Sequence, residues 1–275
     1  LIFLRKILAH KHATFHIHKR LNKKKLSKKM GLSSNSIIHF TKTSESLKGI
    51  LQENFRIKFC LEIVNLETQL NYAAPMVSFC DIPLSQVKEH IWKYGAYGIG
   101  LTKEWAQKNK LNPVLYIQEK SFLAESLQSA YREIPSKKVE WNKLSIVDQN
   151  FMNILRHVKN YEADLSRGGE VIKNYRFSDE REWRFTPDYE SCNKMAINPN
   201  GYKTDEQKEK INKELKDVYL EFEPNDIKYI IIERESEISE FLEVLKKSKG
   251  NVYSYNDVER LMTRIITSEQ IKSDL

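Results

Sequence analysis

Residues Pro75–Trp105 read PMVSFCDIPLSQVKEHIWKYGAYGIGLTKEW and predict a strand, a helix and a second strand in succession. Met76–Cys80 is a short apolar run of residues that favour strands, and the Asp and Pro residues after it are turn and helix-start signals. Apolar residues then recur at helical spacing from about Leu84 until Gly95 ends the helix. Ala96–Thr102 is the second strand. The rest of the chain can be arranged around this unit.

Gly98 and Gly100 lie inside the second predicted strand. Glycine within a strand indicates a bulge, or the close approach of a backbone or a ligand. The strand is therefore a candidate wall of a binding site. An alternative stays open, in which the glycines only let the ring of Trp92 or Trp105 lie flat against the strand.

Length and composition favour a folded protein without a membrane span. The chain has 275 residues, of which 40% are hydrophobic and 11% aromatic, so it can bury a large core. No apolar run approaches the roughly 20 residues that a membrane-spanning helix requires. The cysteines, Cys60, Cys80 and Cys192, are widely spaced, which favours reduced thiols over disulfides or a zinc site. We therefore predict a cytoplasmic protein.

The net charge of +8 is unevenly distributed along the chain. Residues 1–29 hold ten basic side chains and no acidic one, so residues 30–275 hold 35 basic and 37 acidic side chains. Phosphate backbones attract clustered Lys and Arg. The near-neutral charge of residues 30–275 argues against nucleic acid as a partner of this part of the chain.

Residues 1–29 precede Met30, the first methionine of the sequence. We interpret them as a basic leader outside the fold, and residues 30–275 as a single α+β domain that begins at Met30. A second interpretation stays open, in which the leader is a basic arm for nucleic acid or a membrane surface. Its four histidines have no acid or cysteine nearby, so we expect no metal site there.

Further strands and helices flank the central stretch. Ile37–Thr41 predicts a strand, and Leu47–Leu51 lies on the helix that follows it. We expect residues 61–75 to be a connection, because Asn71 and Pro75 favour loops. Two helices are predicted in the middle of the chain and two strands after them: Ser121–Glu133 and Leu144–Asp164, then Val218–Phe222 and Ile227–Glu233. The fold class is therefore α+β, with a largely antiparallel sheet of about six to eight short strands and helices packed around it.

Glu182–Thr186 predicts another strand. Strand alternation places Glu182 and Arg184 on one face and Trp183 and Phe185 on the other. Charged residues on one side and aromatic residues on the other are typical of a strand at the edge of a pocket.

Common catalytic motifs are absent from the sequence. It contains no Gly-x-x-x-x-Gly-Lys-Ser/Thr phosphate loop, no Gly-x-Gly-x-x-Gly helix start, no His-Glu-x-x-His zinc motif and no Gly-x-Ser-x-Gly motif. Reactive residues instead form three separated groups: His39 with Thr41, Ser78 to Asp81 with Tyr94 and Tyr97, and Glu180 to Arg184.

Four motifs, in this order, resemble the AbiGi family of abortive phage-resistance proteins: HFT (His39–Thr41) with LKGIL (Leu47–Leu51), PMVSFCDIPLS (Pro75–Ser85), WKYGAYGIGLTKEW (Trp92–Trp105) and EREWRF (Glu180–Phe185). Members of that family are described as the antitoxin-like partner in a two-gene bacterial defence system. The resemblance implies a protein that needs no cofactor. Its partner would be a cognate toxin or another defence protein, which it would control by contact or through its expression.

More distantly, the layout is similar to ADP-ribosyltransferases of the DarT-like kind, whose substrate is NAD. This resemblance implies that His39 binds the NAD ribose, that Tyr94 or Tyr97 stacks on the nicotinamide, and that Glu182 orients the ribose hydroxyl. Glu182 and His39 are then the candidate catalytic residues. The candidate NAD-binding residues are His39, Thr41, Ser78, Tyr94, Tyr97 and Arg184. An aromatic wall and a carboxylate suit this chemistry, because glycosidic cleavage develops positive charge on the ribose.

Structural roles for the same residues stay open. His39 is also explained as a hydrogen-bonded core histidine in a buried strand. Glu182 is also explained by an ion pair with Arg181 or Arg184 at a sheet edge. The sequence therefore leaves two functions, a non-enzymatic defence component and an enzyme that uses NAD as its substrate.

Overall fold

The structure is a computed structural model that describes residues 34–134, 143–167, 170–192, 194–250 and 252–274. The basic leader and the predicted start of the domain at Met30 lie outside the described residues.

Helices and strands alternate along the described chain. The helices are α1 (Ser44–Glu53), α2 (Lys88–Tyr94), α3 (Lys103–Lys108), α4 (Phe122–Glu133), α5 (Ile146–Leu155), α6 (Asp205–Asn212), α7 (Ile238–Lys249), α8 (Tyr255–Met262) and α9 (Ser268–Asp274). The strands are β1 (Ser36–Thr41), β2 (Phe55–Arg56), β3 (Lys58–Asn65), β4 (Gln69–Cys80), β5 (Tyr97–Thr102), β6 (Asn112–Pro113), β7 (Leu115–Ile117), β8 (Val158–Asn160), β9 (Ala163–Arg167), β10 (Glu170–Tyr175), β11 (Glu182–Phe185), β12 (Tyr219–Leu220), β13 (Ile227–Ile232) and β14 (Ile265–Thr267).

Within the described residues, eight strands form the main sheet. Its order is β14-β13-β5-β1-β4-β11-β6, and β3 also pairs with β4. The neighbours in this sheet are antiparallel, except that β13 and β14 are parallel. The predicted α+β class and the largely antiparallel sheet are therefore confirmed.

The central stretch forms the predicted strand, helix and strand. Its helix opens with a 3-10 turn at Leu84–Gln86, continues as α2, and ends at Gly95. The first strand is longer than predicted, because β4 already begins at Gln69 and pairs with β3 over residues 58–65. The expected connection at residues 61–75 is therefore wrong, and these residues belong to a long hairpin.

Pro75 is compatible with this hairpin because of its register. It lies opposite Phe59, whose N–H donates instead to Asn212 Oδ1 at 2.9 Å. Phe59 and Pro75 thus form a pair that exchanges no ladder hydrogen bonds, so the missing N–H of Pro75 costs none. At one edge of β4, the Asp81 N–H donates to Arg181 O. By the same alternation of backbone groups, β3 lies along the opposite edge of β4, which also pairs with β1.

The glycines of β5 allow aromatic rings to approach closely. A Cβ at Gly100 would lie 2.8 Å from the Tyr229 ring, and one at Gly98 would lie 3.0 Å from the His39 carbonyl oxygen and 3.2 Å from the Phe40 ring. Trp92, by contrast, is 72% exposed. Ring packing therefore explains Gly100, and the approach of a backbone carbonyl together with a ring explains Gly98. The rings come from the neighbouring strands and not from the tryptophans that the sequence suggested.

Gly95 is required by the backbone where α2 turns into β5. Its φ is +119°, and a Cβ there would lie 2.2 Å from Thr41 O. This φ, with a ψ of 163°, is essentially reserved for glycine. We predict that Gly95→Ala lowers the free energy of unfolding by roughly 2–4 kcal/mol, measured by urea denaturation.

Gly49→Ala is the matched control for that substitution. Gly49 lies within α1, and a Cβ there would meet nothing within 4 Å. The same change should therefore raise the free energy of unfolding by about 0.5–1 kcal/mol, because alanine favours the helix. Equal effects of the two substitutions would contradict the role given to Gly95.

Candidate functional site

A cleft of about 1290 Å³ opens beside β4, where β1 and β3 lie along the same edge of that strand. Its lining comes from several elements: β1, β3 and β4, helix α2, strands β8 and β9, and the 3-10 turn Phe177–Glu180 before β11. His39, Ser78, Tyr94 and Glu182 are among the lining residues. The cleft thus brings together parts of all three groups of reactive residues.

The Glu182 carboxylate is buried at the floor of the cleft and accepts hydrogen bonds from three side chains. Ser78 Oγ donates to Oε1 at 2.6 Å, Arg184 Nε donates to Oε1 at 2.8 Å, and Lys159 Nζ donates to Oε2 at 2.7 Å. The backbone N–H of Glu182 also donates to Tyr116 Oη at 2.8 Å. Both oxygens of this carboxylate therefore already accept hydrogen bonds from the protein.

Arg184 lies below Glu182 and is 0% exposed. Its Nη1 donates to Arg156 O at 2.6 Å, and its Nη2 lies 3.3 Å from Glu62 Oε1. Burial opposes the charge of this guanidinium, but Glu182 and Glu62 outweigh burial and raise the Arg184 pKa. Arg184 therefore links β11 to the carboxylate on β3.

The charge cluster keeps Glu182 ionised. Burial by itself raises the pKa of this carboxyl, but Arg184 and then Lys159 outweigh burial and lower it from 4.5 to about 2. For Lys159, burial lowers the pKa, and the neighbouring Glu182 more than reverses this effect. At neutral pH the floor of the cleft therefore contains an ionised carboxylate that is paired with two cations.

Glu180 is a second buried carboxylate in the cleft lining. Tyr94 Oη and Tyr175 Oη both donate to its Oε1, the latter at 2.9 Å. Its Oε2 lies 3.7 Å from Lys159 Nζ, so this lysine lies between the two carboxylates. Tyr94 is thus held by a hydrogen bond in the wall of the cleft.

The His39 ring and the Glu182 carboxylate lie on opposite faces of the sheet. Ile38 and Glu182 both pair with Cys80, so these three side chains share one face. His39 is on the other face, where its ring packs edge-on against Phe79 with centroids 5.7 Å apart.

Ser78 contacts both residues across the sheet. His39 Nδ1 hydrogen-bonds to the Ser78 carbonyl at 2.9 Å, while the Ser78 hydroxyl donates to Glu182. Burial lowers the pKa of His39, and the Ser78 carbonyl offsets only part of this effect. The ring is therefore neutral at physiological pH. Its hydrogen bond to the Ser78 carbonyl is of the kind expected for a core histidine, which is the alternative interpretation of His39 given above.

Three of the predicted binding residues, Thr41, Tyr97 and Arg184, are not part of the cleft lining. Tyr97 packs against Phe241, and its Oη donates to Glu237 Oε1 at 2.7 Å. Thr41 pairs with Tyr97 at the end of β1. Arg184 lies beneath the lining and contacts it through Glu182.

Several residues of the cleft could not be recognised as site residues from the sequence. Lys159, Glu62 and Tyr116 contact the Glu182 and Arg184 pair, but they come from distant strands and from no recognisable motif. His90 also lines the cleft, and its ring stacks on Tyr94 with centroids 5.7 Å apart. Neither His90 ring nitrogen has a hydrogen-bond partner within the described chain.

Metal chemistry gains no support from the described residues, which contain no group of three or more His, Cys, Asp or Glu side chains arranged to hold an ion. No helix in the described part of the chain is both long and apolar enough to cross a membrane.

Residues 53–233 match the family described as "Putative abortive phage resistance protein AbiGi, antitoxin". The chain belongs to the AbiGi family. It is also 26% identical over 219 residues to the abortive phage resistance protein AbiGi of Lactococcus lactis subsp. cremoris, with 73% of this chain and 88% of the relative covered. No solved structure matches the chain.

The AbiGi resemblance predicted from the sequence is thereby confirmed. The region matched to the family contains β3, β4, β5 and β11, and so it includes both Glu182 and Arg184. The resemblance to DarT-like ADP-ribosyltransferases stays a prediction.

Glu182→Gln tests the role of the charge cluster in stability. The substitution preserves shape but leaves the buried Arg184 and the partly buried Lys159 without their principal anion. We predict a loss of about 3–5 kcal/mol in the free energy of unfolding, measured by urea denaturation. Glu119→Gln, at an exposed position on the cleft rim, should change it by less than about 0.5 kcal/mol.

The pH dependence of stability gives a second measurement on Glu182. Its pKa is lowered by folding, so its stabilising contribution is present above 4.5 and is lost as the pH falls towards about 2. We expect the free energy of unfolding of Glu182→Gln to fall less between pH 5 and pH 2 than that of the unsubstituted protein. Parallel pH profiles would show that the carboxylate is not held ionised by its neighbours.

Proposed function

We propose that this AbiGi protein is the non-enzymatic, antitoxin-like component of a two-gene anti-phage system, and that it neutralises a cognate toxin in the cytoplasm by direct contact. Family membership supports the antitoxin role. The occupied Glu182 carboxylate carries the non-enzymatic part of the proposal, because three side chains already hold its two oxygens.

The electrostatics of the cleft are unfavourable for NAD cleavage. A ribose that develops positive charge is stabilised by a carboxylate with net negative potential. The Glu182 carboxylate is paired with Arg184 and Lys159, so its own charge is already engaged and is less available to a substrate. The opposite orientations of His39 and Glu182 also separate the two candidate catalytic side chains, although reacting groups must meet at one small substrate.

The charge of residues 30–275 favours direct contact with a protein, and not control of the toxin's expression by binding to nucleic acid. Residues 30–275 hold slightly more acidic than basic side chains, and a phosphate backbone requires clustered cations. The three cysteines are all free thiols, as suits a reducing compartment.

Co-expression with the toxin of the same two-gene system tests this proposal. The toxin is expressed from an unrelated promoter, so that control of its expression by the antitoxin cannot explain a rescue. We predict that the toxin alone arrests bacterial growth, that the AbiGi protein restores growth, and that the two proteins purify together. Rescue without physical association would overturn the contact mechanism.

Incubation with NAD distinguishes the enzymatic alternative. We expect the purified protein to leave NAD intact, as measured by chromatography of the nucleotide products. NAD consumption that is abolished by His39→Ala would contradict the proposal. The matched control is Thr41→Ser, which retains a hydroxyl at a position outside the cleft lining.

A further inference from the structure

Strand β3 has one edge paired with β4 and one outer edge, and side chains cap the outer edge at its two ends. At Phe59, the N–H donates to Asn212 Oδ1 at 2.9 Å and the carbonyl accepts from Tyr202 Oη at 2.7 Å. At Asn65, the Asn160 side chain accepts from the N–H at 2.7 Å and donates to the carbonyl at 2.8 Å. The ends of this edge are therefore closed to another strand.

The middle of the same edge has no such caps. Strand alternation points the backbone N–H and C=O groups of Leu61 and Ile63 in the same direction as those of Phe59, away from β4. Within the described residues, none of these four groups has a hydrogen-bond partner. An edge strand with unpaired backbone groups is a template for another strand.

Apolar side chains accompany these unpaired groups. Leu61 is 51% exposed and Ile63 is 58% exposed, and both line the cleft. Residues Ala163, Leu165 and Ser166 of β9 line the same cleft. An extended segment that paired with β3 would therefore lie within the cleft and cover apolar surface as well as backbone groups.

The charge of the cleft indicates the chemistry of such a segment. The lining contains six carboxylates and two lysines: Glu62, Glu119, Glu162, Asp164, Glu180 and Glu182, with Lys120 and Lys159. Arg184 below the floor and Lys173 beside Asp164 neutralise part of this charge, and the balance stays negative. A segment that carries Lys or Arg side chains complements this lining.

We propose that the Leu61–Ile63 edge of β3 binds an extended, basic segment of the partner toxin as an added strand. This inference rests on the proposed antitoxin function. A second copy of the chain is a poorer occupant, because pairing two β3 edges would bring two acidic clefts together.

Proline at the outer edge tests the inference directly. The N–H groups of Leu61 and Ile63 point away from β4, so Leu61→Pro and Ile63→Pro remove no hydrogen bond of the β3–β4 ladder. Each variant removes one donor for an incoming strand and places a ring in its path. We expect at least a tenfold loss of affinity for the purified toxin, measured by titration calorimetry.

Ile63→Thr is the matched control for the proline variant. Threonine keeps the backbone N–H and favours strands, so the affinity should stay within about threefold of the unsubstituted protein. Circular dichroism and the melting temperature check that both proline variants fold. Amide hydrogen exchange of the unsubstituted protein provides a second measurement, because toxin binding should slow exchange at Leu61 and Ile63.

The acidic lining is tested by Glu119→Lys combined with Glu162→Lys. Both residues are exposed on the rim of the cleft. The double variant should bind the toxin more slowly, and its association rate should depend less on salt than that of the unsubstituted protein. An unchanged association rate would overturn the basic character assigned to the bound segment.

The outcomes separate this inference from the function on which it rests. Failure of the unsubstituted protein to bind the toxin would overturn both. Normal binding and rescue by the unsubstituted protein, with equal binding by Ile63→Pro and no slowed exchange at Leu61 and Ile63, would overturn the edge-strand inference alone. A dimer that dissociates in Ile63→Pro while toxin binding stays intact would assign this edge to a second copy.

Discussion

The ion cluster of Glu182, Arg184 and Lys159, in which Glu182 and Arg184 are buried, is the interaction on which the centre of this protein depends. Moving an ion out of water costs several kcal/mol, and only close partners offset that cost. Arg184 is fully buried, so its carboxylate partners must be in place whenever the sheet is formed. The cluster thereby connects β11 with β3 and β8, whose residues are distant in sequence but contribute Glu62 and Lys159.

The same cluster explains why a cleft with reactive residues need not be an active site. Strands β1 and β3 lie along one edge of β4, and polar groups near Ser78 are exposed to the cleft there. Glu182 is ionised there but already paired, and Glu180 accepts from two tyrosines. These arrangements rigidify a wall, and a rigid wall suits recognition of a protein partner as well as catalysis. The AbiGi family membership favours recognition.

Local patterns predicted much of the fold because they report local geometry. Alternation in β11 correctly separated Glu182 and Arg184 from Trp183 and Phe185, since neighbouring strand residues point to opposite faces. The long hairpin was missed because Pro75 and Asn71 are loop signals. Register removes the expected penalty at Pro75, and register depends on the partner strand, which the local sequence does not identify.

The sequence by itself determined the α+β class, the strand, helix and strand of the central stretch, and the AbiGi family, because periodicity and motifs are properties of contiguous residues. It also identified His39, Ser78, Tyr94 and Glu182 as residues of interest. Only the tertiary structure decided on which face of the sheet each of these side chains lies. Pairing of Ile38 and Glu182 with the same Cys80 places His39 on the opposite face, and no local pattern contains that information. The cations around Glu182 were likewise decided by long-range packing, since a buried charge selects its partners by proximity in space.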